Sequence, residues 1–473
     1  MRRSRTLIFL LALLGAGAAR GETLPELGDS SQSVISPLQE RQLGASIMRQ
    51  LQASPAFIDD PQITDYLEDL GYRLVSVSPD ARQRFRFFAL QDNSVNAFAL
   101  PGGYIGVHSG LLLTAQTESE VAAVLSHEVA HVTQRHIARL IASQQRQGLA
   151  SLAAVAVAIL AARSNPQAAA GAIAATQAQA LSDTLGFTRD NEREADRVGV
   201  QILERAGFDV HAMPAFLERL QRATRVIESG APSYLRTHPI TYERIADVQN
   251  RTFDVPFKQV PDSLEFHLVR GKLRALQKDA REGVAYFDDL IAERKFSNEV
   301  GARFGLVHAL LRGKSWTRAS SELVRLEAIA PPHPMIASLR AKVLMAAGRR
   351  ADALATYVKA QNDFPNDRGL IYEHAQALID ARQGDAANTV IDARLQKDPD
   401  DGRLYELQAR AYASLGKPMM KHRSLAEAYV AQGDLGLAIE QLQLALRNSD
   451  GDFYNVSSVE ARLKELRSIS ARR

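Results

Sequence analysis

His127-Glu128-Val129-Ala130-His131 sets two imidazoles four residues apart, with a carboxylate directly after the first. Residues at that spacing share a helix face, so both rings can reach a single metal ion while Glu128 reaches water beside it. The chemistry this permits is metal-assisted hydrolysis. A catalytic zinc takes three protein ligands and keeps one position open, so a further carboxylate or imidazole must come from elsewhere in the chain. The run 191–197, NEREADR, offers one. Glu192 and Asp196 are four apart and share a face, while Glu194 points elsewhere. We assign His127, His131 and Glu192 as ligands of one Zn2+ per chain, and Glu128 as the base that takes a proton from water and delivers it to the leaving amine. Asp196 is assigned to the hydrogen bond that orients a ligating histidine, and Glu194 to solvent.

These side chains require two helices brought together. Thr117 and Glu120 form a capping box that starts the first, and Val121, Val124, Leu125 and Val132 give it an apolar flank that buries it. Histidines and a glutamate buried on that helix are costly unless something binds them. The second helix lies within 190–208, with Val198, Val200, Ile202 and Leu203 continuing it, and another at 213–227 packs behind. Upstream, 36–76 reads as two amphipathic helices, the second opened by Asp60-Pro61. Residues 84–90, 95–100 and 104–108 read as strands, with Pro101-Gly102-Gly103 turning between the last two. An exposed edge strand can hold an extended peptide across a metal by backbone hydrogen bonds. The plainer reading of that stretch is that Asn96 fixes a turn and Phe98 fills the core. His108 reads as an ordinary strand histidine.

Between the two site helices, 143–183 is an insert. Its first part, 148–162, is apolar and alanine-rich, Ser164-Asn165-Pro166 breaks it, and 167–181 is a second weakly polar helix. We read a helical hairpin lid over the cleft. The alternative, an interfacial membrane element, lacks the basic face such helices carry. Further on, His238 precedes Pro239, which holds it in an extended or turn conformation; on the residues alone a capping or core role suffices. Arg244 follows at a helix start, facing the cleft, where it could stabilise an oxyanion or pair with a carboxylate.

At 473 residues the chain is too long for one core, and two or three domains are the natural division. With 57 basic and 54 acidic side chains there is no strong field, and nucleic-acid binding has no compositional support. Residues 1–21 read as a signal peptide: Arg2, Arg3 and Arg5 precede an apolar run at 7–14 too short to span a bilayer, then small residues suited to cleavage. The chain has no cysteine, so an exported form carries neither disulfide nor lipidated cysteine. Such a protein is expected to be soluble in an oxidising compartment, with peripheral membrane contact left open.

After a linker at 256–264 the pattern changes. Gly313, Gly348 and Gly384 recur at intervals of 35 and 36, and Pro365 and Pro399 lie 34 apart, the period of tetratricopeptide helix pairs. Such pairs stack into a curved solenoid with a concave surface for partners. His308, His333, His374 and His422 are scattered through it in surface or packing roles.

Four motifs in this order, NAFALPGGYIGVHSGLL from Asn96, HEVAH from His127, EREAD from Glu192 and HPITYERI from His238, resemble the HtpX and CAAX-prenyl-protease group of gluzincin metallopeptidases. In that group the segment matching Asn96 to Phe98 lies at the substrate-binding edge, which makes Asn96 and Phe98 cleft residues. The resemblance also implies a proton-donor role for the aspartate at Asp196, although on physical grounds we favour orientation of a ligand. It implies that His238 is a removable fourth zinc ligand that closes the site at rest. In repeat-bearing periplasmic members it implies substrates among misassembled outer-membrane β-barrel proteins and contact with the barrel-assembly machinery.

The expected architecture is mainly α with a small β-sheet: a zincin-type metallopeptidase domain over 22–255, then an α-solenoid of tetratricopeptide repeats over 265–470. The function expected is zinc endopeptidase and chaperone-like factor in barrel quality control. A mainly non-proteolytic assembly scaffold is the alternative from another class, and a zinc hydrolase of cell-wall peptides a third.

Overall fold

The computed structural model describes residues 35–81, 83–145, 189–224, 234, 238–449 and 451–471. The signal peptide at 1–21 and positions 146–183 of the expected lid lie outside the described residues. Two helices lead, α1 (Pro37–Gln52) and α2 (Pro61–Val75). Ser36 and Gln39 cap α1 reciprocally, and Asp60 caps α2 by accepting from the amides of Gln62 and Ile63 at 3.1 and 3.2 Å.

A three-stranded sheet follows: β1 (Arg86–Leu90), β2 (Ala97–Leu100) and β3 (Tyr104–His108), in the order β1-β3-β2. β3 is central, parallel to β1 and antiparallel to β2. The β2–β3 turn runs through Gly102 and Gly103 at φ +80° and +84°, a backbone that side-chain-bearing residues rarely adopt. That turn leaves β2 at a sheet edge.

The short α3 (Ser109–Thr114) leads into α4 (Glu118–Thr133), which carries the HEVAH motif and is buried along almost its whole length. The capping box expected at its start is half formed. Thr117 Oγ1 accepts from the Glu120 amide at 3.3 Å, but the Glu120 carboxylate turns back to the Gln116 amide at 2.6 Å and pairs with Arg219. Then come α5 (His136–Gln145), α6 (Arg189–Arg205), α7 (Ala212–Thr224) and α8 (Tyr242–Thr252). α4 and α6 cross so closely that a Cβ on Gly199 would sit 3.2 Å from the His127 backbone. Gly199 thereby lets the two site helices touch.

No regular element is present between Thr252 and Leu264. Twelve described helices follow as six pairs: α9 (Leu264–Gln277) with α10 (Ala280–Ala292), α11 (Glu299–Arg312) with α12 (Trp316–Ile329), α13 (Pro334–Ala346) with α14 (Arg350–Asp363), α15 (Arg368–Asp380) with α16 (Gly384–Leu395), α17 (Gly402–Ser414) with α18 (Pro418–Ala431), and α19 (Leu435–Arg447) with α20 (Phe453–Ala471). The first helices of successive pairs begin 35, 35, 34, 34 and 33 residues apart, the tetratricopeptide period. This is a mainly helical chain with one small sheet, ending in a helical-repeat solenoid.

The main hydrophobic core does not stop at residues 256–264. It runs from Ile63, Leu67 and Val121 through Val129 and Ile202 into Phe266, Phe304 and Leu339. Ahead of α9, Ser263 donates through Oγ and its amide to the Glu118 carboxylate at 2.6 and 3.0 Å, and the Glu118 amide donates to Asp262 at 2.7 Å. The starts of α4 and α9 are thus bonded to each other. No helix among the described residues is long and apolar enough to cross a membrane.

Candidate active site

α4 and α6 bring His127, His131, Glu192 and Asp196 together, and the segment before α8 adds His238. One ligand atom from each of His127, His131, Glu192 and His238 lies within 4.8 Å of the other three, and all four residues are buried. His127 Nε2 is 2.9 Å from His131 Nε2 and 3.3 Å from His238 Nδ1; Glu192 Oε1 is 3.0 Å from His238 Nδ1 and 3.3 Å from His131 Nε2. Imidazole nitrogens and one carboxylate converging in a water-poor site form a donor set suited to a divalent transition metal, zinc above all.

Glu128 sits beside this cluster at 0% exposure. Its Oε1 is 3.4 Å from His238 Nε2, and among the described residues neither oxygen has a hydrogen-bond partner of normal geometry. An unsatisfied buried carboxylate is costly. Burial pushes its pKa upward, which suits a group that takes up a proton.

Asp196 and Arg244 form the back wall. The guanidinium is bidentate on Asp196, with Nε to Oδ2 at 2.7 Å and Nη2 to Oδ1 at 2.8 Å. Its Nη1 lies 2.6 Å from Glu192 Oε2 and donates to the Pro239 carbonyl at 2.9 Å. Asp196 Oδ1 is in turn 2.9 Å from His127 Nδ1, so the ring's other nitrogen faces the cluster. Burial opposes charge on Asp196 and Glu192, but Arg244 holds Asp196 below the usual carboxylate range, and His238 and Arg244 hold Glu192 well below it. Burial likewise opposes charge on His127, yet its hydrogen bonds to Asp196 and Glu192 push it up to about 10. Burial drives His131 well below its ordinary value. Asp196 is thus held between the Arg244 guanidinium and the His127 ring. The Arg244 N–H donors are engaged by Asp196, Glu192 and Pro239, which realises the carboxylate pairing expected of it.

Three further expectations meet corrections. Glu194 is not simply solvated: its Oε2 lies 3.1 Å from His136 Nε2 and accepts from Arg139 at 2.7 Å. Phe98 does not line an open cleft; it is 4% exposed, with its ring edge-on to Phe88 and His108 at 6.0 and 5.8 Å in a cluster with Leu90 and Leu100. Asn96 is fully buried, and its carbonyl accepts from the His108 amide at 3.0 Å. His108 itself stays outside the cluster, 2.9 Å from Ser94 Oγ.

Two residues escaped the sequence reading. His136 is fully buried with Nδ1 2.8 Å from His131 Nδ1, which completes a chain from His131 through His136 to Glu194. The two histidines are five positions apart, a spacing that faces no partner on a continuous helix; Arg135 at φ +54° breaks the helix and folds His136 back. Tyr234 stacks its ring on His238 at 4.7 Å, and its carbonyl accepts the His238 amide at 2.8 Å. Its sequence surroundings gave no signal.

Residues 61–252 match the profile described as Peptidase family M48. The chain is 32% identical over 460 residues, 97% of its own length and 94% of the relative's, to the beta-barrel assembly-enhancing protease of Escherichia coli strain K12. It is 31% identical over 480 residues, 99% of its length and 98% of the relative's, to the protein of that name from Yersinia pestis. A more distant likeness, 30% over 187 residues, covers 39% of the chain and 52% of the mitochondrial metalloendopeptidase OMA1 of Schizosaccharomyces pombe. The buried histidine-carboxylate cluster therefore belongs to a metalloprotease, and the chain is a member of peptidase family M48.

Proposed function

We propose that this metalloprotease is a periplasmic zinc endopeptidase acting on outer-membrane β-barrel proteins that have failed to assemble. His127, His131 and Glu192 hold the metal, and bound zinc would supply a Lewis acid for the scissile carbonyl. Glu128 takes the proton from the attacking water and gives it to the departing amine. Arg244 fixes Asp196, Asp196 fixes the His127 ring, and the tautomer follows from that order. The observation that carries this reading is the convergence of four buried ligand atoms within 4.8 Å beside a buried carboxylate that, among the described residues, has no hydrogen-bond partner of normal geometry.

His238 is a removable fourth ligand in this proposal. Its Nδ1 is close enough to Glu192 and His127 to share their metal, and its Nε2 faces Glu128. Substrate entry requires it to leave. A signal peptide at 1–21 delivers the chain to the periplasm. The 22–255 unit cuts, and the 265–470 repeats, joined through 256–264, hold unfolded substrate and the barrel-assembly machinery. The printed names of the relatives support the barrel assignment.

Metal analysis of purified protein together with digestion of an unfolded and a folded outer-membrane barrel protein tests this. Stoichiometric zinc and cleavage of the unfolded form alone are expected; a metal-free protein, or equal cutting of both forms, overturns it. Full rescue of a deletion strain by Glu128→Gln would instead favour a scaffolding role.

A further inference from the structure

We infer that the first repeats contain a receptor for the free carboxylate at the end of a peptide chain. A cavity of about 230 Å³ opens where α9, α10 and α11 meet the end of α3. Its wall contains Arg270, Arg274, Lys295 and His267, and no aspartate or glutamate. Lys295 pairs with Glu293 and His267 lies 3.8 Å from Asp262, so the positive charge left facing the cavity is that of the two arginines.

The two arginines are one helical turn apart on α9, so they repel each other. Arg270 Nη2 donates to the Leu113 carbonyl at 3.3 Å, and its guanidinium lies over the Phe266 ring at 4.9 Å. Arg274 Nη1 donates to Gln277 Oε1 at 2.6 Å, and its guanidinium lies over Tyr286 at 5.2 Å. Neither guanidinium has a carboxylate within 4 Å among the described residues. Burial lowers the Arg270 pKa and the Arg274 charge adds to that, while more distant Asp262 offsets part of it. Each guanidinium carries five N–H donors and spends one of them on these bonds, which leaves both able to take a carboxylate.

Tyr286 and Phe287 supply an apolar wall beside those charges. A carboxylate flanked by an apolar side chain is the chemistry of a chain terminus. The volume falls below the roughly 300–1,000 Å³ of ordinary small-molecule pockets, which suits one terminal residue better than a chain passing through. Rigid aromatic rings favour an aromatic or aliphatic last residue. Building on the endopeptidase reading, such a receptor would hold a substrate by its tail while an internal segment is cut.

Fluorescence anisotropy on the full chain carrying Glu128→Gln tests it without cleavage. The probe is a fluorescein-labelled glycine-serine octapeptide ending in phenylalanine, as free acid and as amide. The free acid should bind about tenfold tighter, a difference near 1.4 kcal/mol. Adding Arg270→Gln and Arg274→Gln should erase that preference without altering the circular dichroism melt. Equal binding of acid and amide overturns the proposal even if the double variant fails to fold. So does equal binding of an amidated peptide with an internal glutamate, or full displacement by inorganic phosphate. The measurement does not involve hydrolysis, so a failed protease reading and a failed receptor remain distinguishable.

Discussion

The histidine cluster is a buried assembly of charged side chains and the junction between α2 and the repeats a half-buried one, and they differ in how their charges are matched. At the junction, Lys272 Nζ meets Asp60 Oδ2 at 2.6 Å and Gln62 Oε1 at 2.8 Å. Lys342 meets Glu373 at 2.7 Å, and Arg368 reaches Asp65 and Glu68, each at 2.6 Å. Each of these carboxylates faces a cation from another helix. Around His127, by contrast, three imidazoles face one another, and Glu128 has no hydrogen-bond partner of normal geometry among the described residues. A matched cluster fastens helices, whereas an unmatched one awaits a ligand. Charge alone does not tell them apart; partner geometry does.

Exchanging single atoms should break this comparison in opposite ways. Glu128→Gln should lower peptide cleavage about 10²–10⁴-fold while leaving zinc content and melting temperature unchanged; a variant that still cuts casein at the parent rate would remove the base from the mechanism. Lys272→Ala should do the reverse, destabilising the chain by about 3–5 kcal/mol in urea unfolding because Asp60 loses its buried partner. His136→Ala should weaken zinc about 10–100-fold in a chelator competition, since His131 loses the ring that orients it, and His136→Gln should recover part of that.

The junction also has a pH signature. Burial works against its charge, but Lys272 and Lys342 hold Asp60 down at about 2, below its ordinary 3.8. A depressed carboxylate stabilises the fold above its unfolded pKa, and that stability is lost as pH falls from about 4 to about 2. Asp60→Asn, which keeps the helix cap, should forfeit about 2 kcal/mol at neutral pH and show a flatter acid limb. Smallest is the release of a blocking ligand: His238→Ala should raise cleavage of an unfolded substrate about tenfold, as for a competitor worth ~1.4 kcal/mol. Unchanged or reduced cleavage would argue against a switch.

Much of this molecule was legible because it obeys local rules. The four-residue spacings of His127 with His131 and of Glu192 with Asp196 place side chains by helix geometry alone, and the 34-residue period specifies paired helices. The expected Asp60 cap and Gly102-Gly103 turn are present for the same reason. What stayed hidden depends on chain reversals and long-range packing. His136 turns back only because Arg135 adopts a left-handed backbone. Arg244 pairs with two carboxylates of α6, a choice that no spacing around it could indicate. Phe98 alternates along β2 as a cleft residue could, yet the rings of Phe88 and His108 claim it. Glu194 finds a histidine on α5 that no spacing within α6 could indicate.

The reciprocal bonds between Glu118 and the Asp262-Ser263 pair tie the far end of the eleven-residue strap after α8 to the start of α4. Any force drawn along the solenoid therefore meets the first turn of the histidine-bearing rod before it meets the strap.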